Sequence, residues 1–126
     1  MRVFISYTTR DHRDRALARQ IHDGLRARDV DVFFAEQTLR AGQNWKEQLR
    51  AELGGRCSHV LVIVSAASMG SNEVIEEIDM ALDRSRGDEA FVILPLLMGN
   101  VANQRQVEAL GLRPCHQLAL FERAVP

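Results

Sequence analysis

Cysteine, lysine, aromatic residues and long apolar runs are all scarce in this chain. Two cysteines occur, Cys57 and Cys115, far apart and without metal-ligand spacing, which favours free thiols in a reducing cytosol. No hydrophobic stretch reaches membrane-spanning length, so we expect a soluble, cytoplasmic protein with no membrane partner. The net charge is only -1, so nucleic acid is not expected as a direct partner.

Several motifs that bind cofactors or carry catalysis are also missing. The chain has no phosphate-binding glycine loop, no zinc pair and no nucleophile elbow, so neither a metal nor a resident cofactor is expected. A phosphoacceptor receiver domain needs an aspartate at the end of its third strand and a lysine near the fifth. Here the third strand ends at Val64-Ser65 without an aspartate, and the only lysine is Lys46, which is not near the fifth strand. These two differences exclude the receiver class.

Five short apolar runs are present instead, and they predict the strands of one sheet. The 126 residues suffice for a single domain over 1–126. Met1-Arg2 leads straight into the first run, so no signal peptide is expected. Most of the runs are continuous rather than alternating, which suits parallel strands covered on both faces. They are Val3 to Tyr7, Val30 to Phe34, Val60 to Val64, Phe91 to Leu94, and Gln117 to Leu120.

Helical patterns separate these runs. Apolar residues recur every four positions from Leu17 to Leu25 and from Trp45 to Leu53, where Gly54-Gly55 predicts a helix end. A third helix over Val74 to Leu82 takes Ser71 or Asn72 as its N-cap, and a fourth falls within 101–110. We therefore predict a flavodoxin-like, doubly wound, five-stranded parallel sheet of order 2-1-3-4-5. No final helix is evident, so the domain is expected to be a module of a longer protein.

The carboxyl edge of this sheet is the expected site, because open α/β sheets bind ligands there. Ser6, Tyr7 and Thr8 follow the first strand and are the first candidates. The loops from Ala35 to Trp45 and from Ser65 to Asn72 border the same crevice, and both are polar. The loop from Ala35 to Trp45 is also long, which favours a function.

The third helix carries an acidic cluster. With Ile78 at the centre of the buried face, Glu76 points almost directly away, and Glu73 also points outward. Glu77 and Asp79 flank the apolar stripe and are the carboxylates expected to be half-buried. Helical geometry alone does not choose between these two.

The ordered set of motifs resembles a Toll/interleukin-receptor (TIR) domain of the bacterial kind. Phe4-Ile5-Ser6-Tyr7 resembles the family's first box, and Val32-Phe33-Phe34 with Leu39, Gly42 and Trp45 resembles its second strand and BB loop. Ser65-Ala66-Ala67-Ser68 and then Glu77-Ile78 resemble the exit of the third strand and the helix with the catalytic glutamate. A tryptophan usual four residues before that glutamate is Glu73 here, and an acid usual after the second strand is Ala35.

The resemblance implies an NAD+ glycohydrolase that releases nicotinamide and forms ADP-ribose or a cyclic isomer. It assigns Glu77 the catalytic role, with NAD+ as substrate rather than cofactor. Tyr7, Thr8 and Trp45 would line the substrate pocket together with Ser6, Ser65 and Ser68. A role in bacterial immune or anti-phage signalling would follow.

The resemblance also implies association with other TIR domains, as a homo-oligomer or filament, and a fused sensor or effector domain. The loop from Gln37 to Asn44, with Leu39, Arg40 and Gly42, would serve that assembly. The alternative is a non-enzymatic TIR scaffold that acts by association alone. Glu77 would then be a solvated helix residue.

Overall fold

The computed structural model describes residues 1–33, 45–98 and 119–120. The strands in these ranges are β1 (Arg2–Ser6), β2 (Asp31–Phe33), β3 (His59–Val64), β4 (Val92–Leu97) and β5 (Ala119–Leu120). The helices are α1 (His12–Ala27), α2 (Trp45–Ala51), α3 (Ala66–Met69) and α4 (Asn72–Gly87), and a π-helical turn, Glu52–Arg56, directly follows α2. Strands and helices therefore alternate as predicted.

The strands form one parallel sheet in the order β2-β1-β3-β4-β5. This confirms the predicted fold class and strand order. The register pairs Ser6, the last residue of β1, with Val62 of β3, so β3 runs two residues further towards the same edge of the sheet. Side chains that follow β1 and β3 consequently share one edge of the sheet.

Successive side chains of β1 point to opposite faces of the sheet, because a strand alternates with period two. Phe4 packs in a large apolar cluster with Leu49 of α2 and Ile78 of α4. Ile5 packs in a second cluster with Leu17 and Ala18 of α1. Thus α1 covers one face, while α2 and α4 cover the other.

Side-chain caps fix the starts of the two long helices. Asp11 is the N-cap of α1, and its carboxylate accepts hydrogen bonds from the backbone N–H groups of Arg13 and Asp14. For α4, the sequence left Ser71 and Asn72 open. Ser71 is the N-cap, and its hydroxyl accepts from the N–H of Val74 at 3.4 Å.

The predicted helix end at Gly54-Gly55 is wrong, because the helical path widens into the π-helical turn and continues to Arg56. The N–H of Cys57 donates to the carbonyl of Glu52 at 2.8 Å and closes this wider turn. Arg84 of α4 donates through Nη1 to the carbonyls of Leu53 and Cys57, at 3.1 and 2.5 Å. A distant side chain thus satisfies carbonyls that a helix end would leave open.

Two other expectations cannot be compared with the structure. The predicted helix within 101–110 lies outside the described residues, as does the loop from Ala35 to Trp45 except for Trp45 itself. None of the described helices is both long and apolar enough to cross a membrane.

Candidate active site

Glu77 is a buried carboxylic acid at the carboxyl edge of the sheet, with 7% of its surface exposed. It lies in the second turn of α4, directly over the end of β1. The hydroxyl of Ser6, the last residue of β1, donates to Glu77 Oε1 at 3.2 Å. Ser6 is itself fully buried, so this contact joins the strand end to the helix in a water-poor setting.

Burial raises the pKa of Glu77 to about 8, and the negative charges of Glu73 and Glu76 act in the same direction. The hydrogen bond from Ser6 acts against them. A carboxyl group with a pKa near neutrality gains and loses its proton in the physiological pH range. Such a group suits general acid-base catalysis or the electrostatic stabilisation of a positive charge.

The structure separates the two acids that helical geometry left open. Glu77 is buried and faces the sheet, whereas Asp79 is exposed. Glu73 is exposed as expected, and Glu76 is partly buried rather than fully outward. Glu77 is therefore the acid of this helix that lies at the strand ends.

Ser65 and Ser68 follow β3 at the same edge, and both are buried. They form a capping box around α3: Ser65 Oγ accepts from the N–H of Ser68 at 3.0 Å, and Ser68 Oγ accepts from the N–H of Ser65 at 2.7 Å. Ser68 Oγ also donates to the carbonyl of Ser65. Both hydroxyls are thus engaged within the protein, and their predicted substrate contacts stay predictions.

Asp14 of α1 is a buried acid near this edge that the sequence analysis did not single out. It is 2% exposed, and Ser65 Oγ donates to its Oδ2 at 2.5 Å. Burial raises the pKa of Asp14, whereas the Ser65 hydrogen bond lowers it. The signal was available, because Asp14 precedes Leu17 by three residues and so continues the apolar stripe of Leu17, Ile21 and Leu25.

The remaining predicted site residues lie in different surroundings. Tyr7 is buried in the apolar cluster beside α1, on the face opposite Glu77. Thr8 is buried, and its hydroxyl accepts from the N–H of Arg10 at 3.3 Å. Trp45 begins α2, and its side chain lies outside the description, as do Gln37, Leu39, Arg40, Gly42 and Asn44. In the described ranges, His, Cys, Asp and Glu form no metal-binding group.

A parallel sheet of this order defines a flavodoxin-like domain, and the buried Glu77 over the end of β1 marks a candidate site at its carboxyl edge. The family model that matches is that of the TIR domain, over residues 3–124. This chain therefore belongs to the TIR-domain family.

Comparison with individual proteins gives relatives of much greater length. An uncharacterized protein y4cD of Sinorhizobium fredii is 30% identical over 89 residues, which cover 69% of this chain but 13% of that protein. A metazoan TIR-STING receptor from C. gigas, solved in complex with 2',3'-cGAMP, is 26% identical with a TM-score of 0.70. The match covers 98% of this chain and 35% of the receptor chain.

The TIR domains of the activated Roq1 resistosome, which directly recognizes the pathogen effector XopQ, superpose with a TM-score of 0.69 at 19% identity. The match covers 78% of this chain and 57% of that one. At that identity, the likeness shows the shared fold.

Proposed function

We propose that this TIR domain cleaves NAD+ at the bond between nicotinamide and ribose, with Glu77 as the catalytic residue. The observation that carries the proposal is the placement of Glu77: a buried carboxyl group at the strand ends, held by Ser6 at 3.2 Å. Family membership supports the same assignment, because Glu77 stands where the family's catalytic glutamate is expected.

The chemistry suits a single carboxylate. The nicotinamide of NAD+ is already cationic, so the glycosidic bond breaks with its electron pair going to the ring nitrogen, and nicotinamide leaves neutral. Positive charge then develops on the ribose, as in other glycosidic cleavages. A negative Glu77 stabilises that charge, and water or a nucleophile within the substrate adds to the anomeric carbon.

The ionisation of Glu77 fits this role once substrate is bound. A pKa of about 8 leaves the free carboxyl group largely protonated at neutral pH. The cationic nicotinamide ring of bound NAD+, placed beside Glu77, lowers that pKa, because a nearby opposite charge favours the charged form of an acid. The Ser6 hydroxyl holds one oxygen of Glu77 throughout.

NAD+ enters this scheme as substrate, and the scheme uses no metal or resident cofactor. Activity is proposed to depend on association between TIR domains through the loop from Gln37 to Asn44. A fused sensor or effector domain would control that association, in immune or anti-phage signalling.

The test compares nicotinamide release from NAD+ by the parent and by Glu77→Gln, with chromatography as the assay. The substitution keeps the shape and removes the charge, so we expect a loss on the order of a hundredfold or more. Glu76→Gln, on the neighbouring position, is the matched control and should retain turnover. Circular dichroism of both variants checks the fold.

Two results would contradict the proposal. Turnover by Glu77→Gln equal to that of the parent would remove Glu77 from the reaction. If the parent releases no nicotinamide even when crowded, yet associates with itself, the domain is a scaffold rather than an enzyme.

A further inference from the structure

We propose that Asp14 is a positioning residue, which acts through Ser65 to hold the start of α4, and with it Glu77, in place over β1. This inference rests on the proposed role of Glu77, and it assigns a part in the site to a residue on the opposite face of the sheet. Asp14, Ser65 and Ser68 are all 2% exposed or less.

The hydrogen-bond directions make Asp14 the anchor of the segment after β3. Ser65 Oγ accepts from the N–H of Ser68, so its single proton is free to go to Asp14 Oδ2 at 2.5 Å. Ser68 Oγ donates to the carbonyl of Ser65. The Ser65 and Ser68 hydroxyls therefore bond to each other's backbone, and the side-chain bond from Ser65 to Asp14 connects this capping box to α1.

The anchored segment leads directly into the helix that carries Glu77. The N–H of Ser71 donates to the carbonyl of Ser68 at 3.0 Å, and Ser71 is the N-cap of α4. The carbonyl of Ser71 then accepts from the N–H of Ile75 at 3.1 Å. A continuous set of hydrogen bonds thus runs from Asp14 to the turn of α4 that precedes Glu77.

Glu77 is consequently held from two sides. On one face of the sheet, Ser6 donates to it directly. On the other face, Asp14 fixes the segment from which α4 starts. If that second constraint is lost, α4 keeps its helical structure but can shift over β1, and the Ser6–Glu77 contact loosens.

The experiment compares Asp14→Ala, Asp14→Asn and Ser65→Ala with Glu52→Gln. Glu52 is the matched control: a buried acid, 4% exposed, bound by Arg2 at 2.7 and 2.9 Å beside the starts of the strands, away from Glu77. All variants should lose stability. Asp14→Ala and Ser65→Ala should also lower kcat for nicotinamide release on the order of tenfold to a hundredfold. KM should be nearly unchanged in Asp14→Ala, because Asp14 is assigned no contact with the substrate.

Two comparisons separate positioning from simple destabilisation. Asp14→Asn keeps an oxygen that accepts from Ser65, so it should recover most of the kcat lost in Asp14→Ala. Glu52→Gln should leave kcat unchanged at temperatures where it is folded. Equal losses of kcat in Glu52→Gln and Asp14→Ala would overturn the proposal.

The position of Glu77 can also be tested without any enzymatic turnover, through the titration of its carboxyl group. NMR of the Glu77 side-chain carboxyl carbon follows its titration in each folded variant. In Asp14→Ala or Ser65→Ala, a loosened site admits water, so the titration midpoint should fall towards that of an ordinary glutamate.

A midpoint identical to that of the parent in Ser65→Ala, the variant that leaves α1 intact, would overturn the positioning role. If the parent releases no nicotinamide while the midpoint moves as expected, the proposed reaction fails and the positioning of Glu77 by Asp14 stands.

Discussion

Among the acids of α4, burial rather than sequence position distinguishes Glu77. Glu73 and Asp79 are exposed, whereas Glu77 is 7% exposed and its pKa is raised to about 8. Because the local dielectric around Glu77 is low, its ionised form is disfavoured in the free protein. The same low dielectric strengthens the attraction between the carboxylate and a nearby cation. The site is therefore expected to respond strongly to pH.

The first prediction concerns this pH dependence of the rate. If charged Glu77 is the active form, kcat/KM for NAD+ should rise with pH and level off above a midpoint of about 8. The double variant Glu73→Gln, Glu76→Gln removes the like charges that raise this pKa, so its midpoint should lie lower. Initial rates of nicotinamide release over a pH series measure both midpoints, and a rate that does not change across them would contradict the assignment.

The second prediction concerns stability. The folded pKa of Glu77, about 8, lies above its ordinary value of 4.5, so the folded state binds the additional proton between these two pH values. Its contribution to stability is complete below the ordinary pKa and is lost as pH rises towards the folded one. Glu77→Gln should therefore match the parent in acid and exceed it above the folded pKa, by on the order of a few kcal/mol. Urea unfolding at both ends of the range tests this, and a difference independent of pH would show that Glu77 is not buried as described.

At the scale of elements, Arg84 joins α4 to the π-helical turn that follows α2. Its guanidinium donates to the carbonyls of Leu53 and Cys57 and to Asp88, and it lies 4.4 Å from the centre of the Phe91 ring. The side chain is 13% exposed. One partly buried cation thus takes the place of a helix cap for the π-helical turn.

The third prediction follows from that contact. Arg84→Met should lower the free energy of unfolding by about 2–4 kcal/mol, because it leaves buried carbonyls without a donor. Arg86→Met is the control, since Arg86 is 74% exposed and pairs with Asp83 at the surface, where an ion pair contributes little. Chemical denaturation measures both. Similar losses in the two variants would mean that the carbonyls are satisfied by water.

Local patterns predicted the elements because strands and helices depend on near neighbours. The apolar runs located every strand of the described sheet, and the capping rule located the start of α4. The helix end predicted at Gly54-Gly55 was wrong because the π-helical turn after α2 is bound by Arg84, more than thirty positions away from Leu53. The Asp14–Ser65 bond spans 51 positions, and no periodicity encodes such a contact.

At the scale of the whole molecule, the site lies where helices from both faces of the sheet meet its carboxyl edge. Glu77 comes from α4 on one face, and Asp14 comes from α1 on the other. Ser6 and Ser65, at the ends of two paired strands, connect the layers. Any change in how the layers pack is therefore expected to change the geometry around Glu77.

The last prediction concerns association between copies of the domain. Because the site depends on how the layers pack, a neighbouring copy that biases the packing or the loop from Gln37 to Asn44 would shift the population of active domains. Specific activity should then rise with protein concentration and on a surface that crowds the domain.

The variant Gly42→Val should lower assembly and activity together, since a branched residue restricts the loop backbone. Light scattering and nicotinamide release on the same samples measure the two properties. Full activity in dilute parent protein would describe a self-sufficient monomeric enzyme. If assembly of the variant falls while turnover per molecule stays unchanged, the loop serves association alone, and the packing around Glu77 is set within a single copy by Ser6 and Asp14.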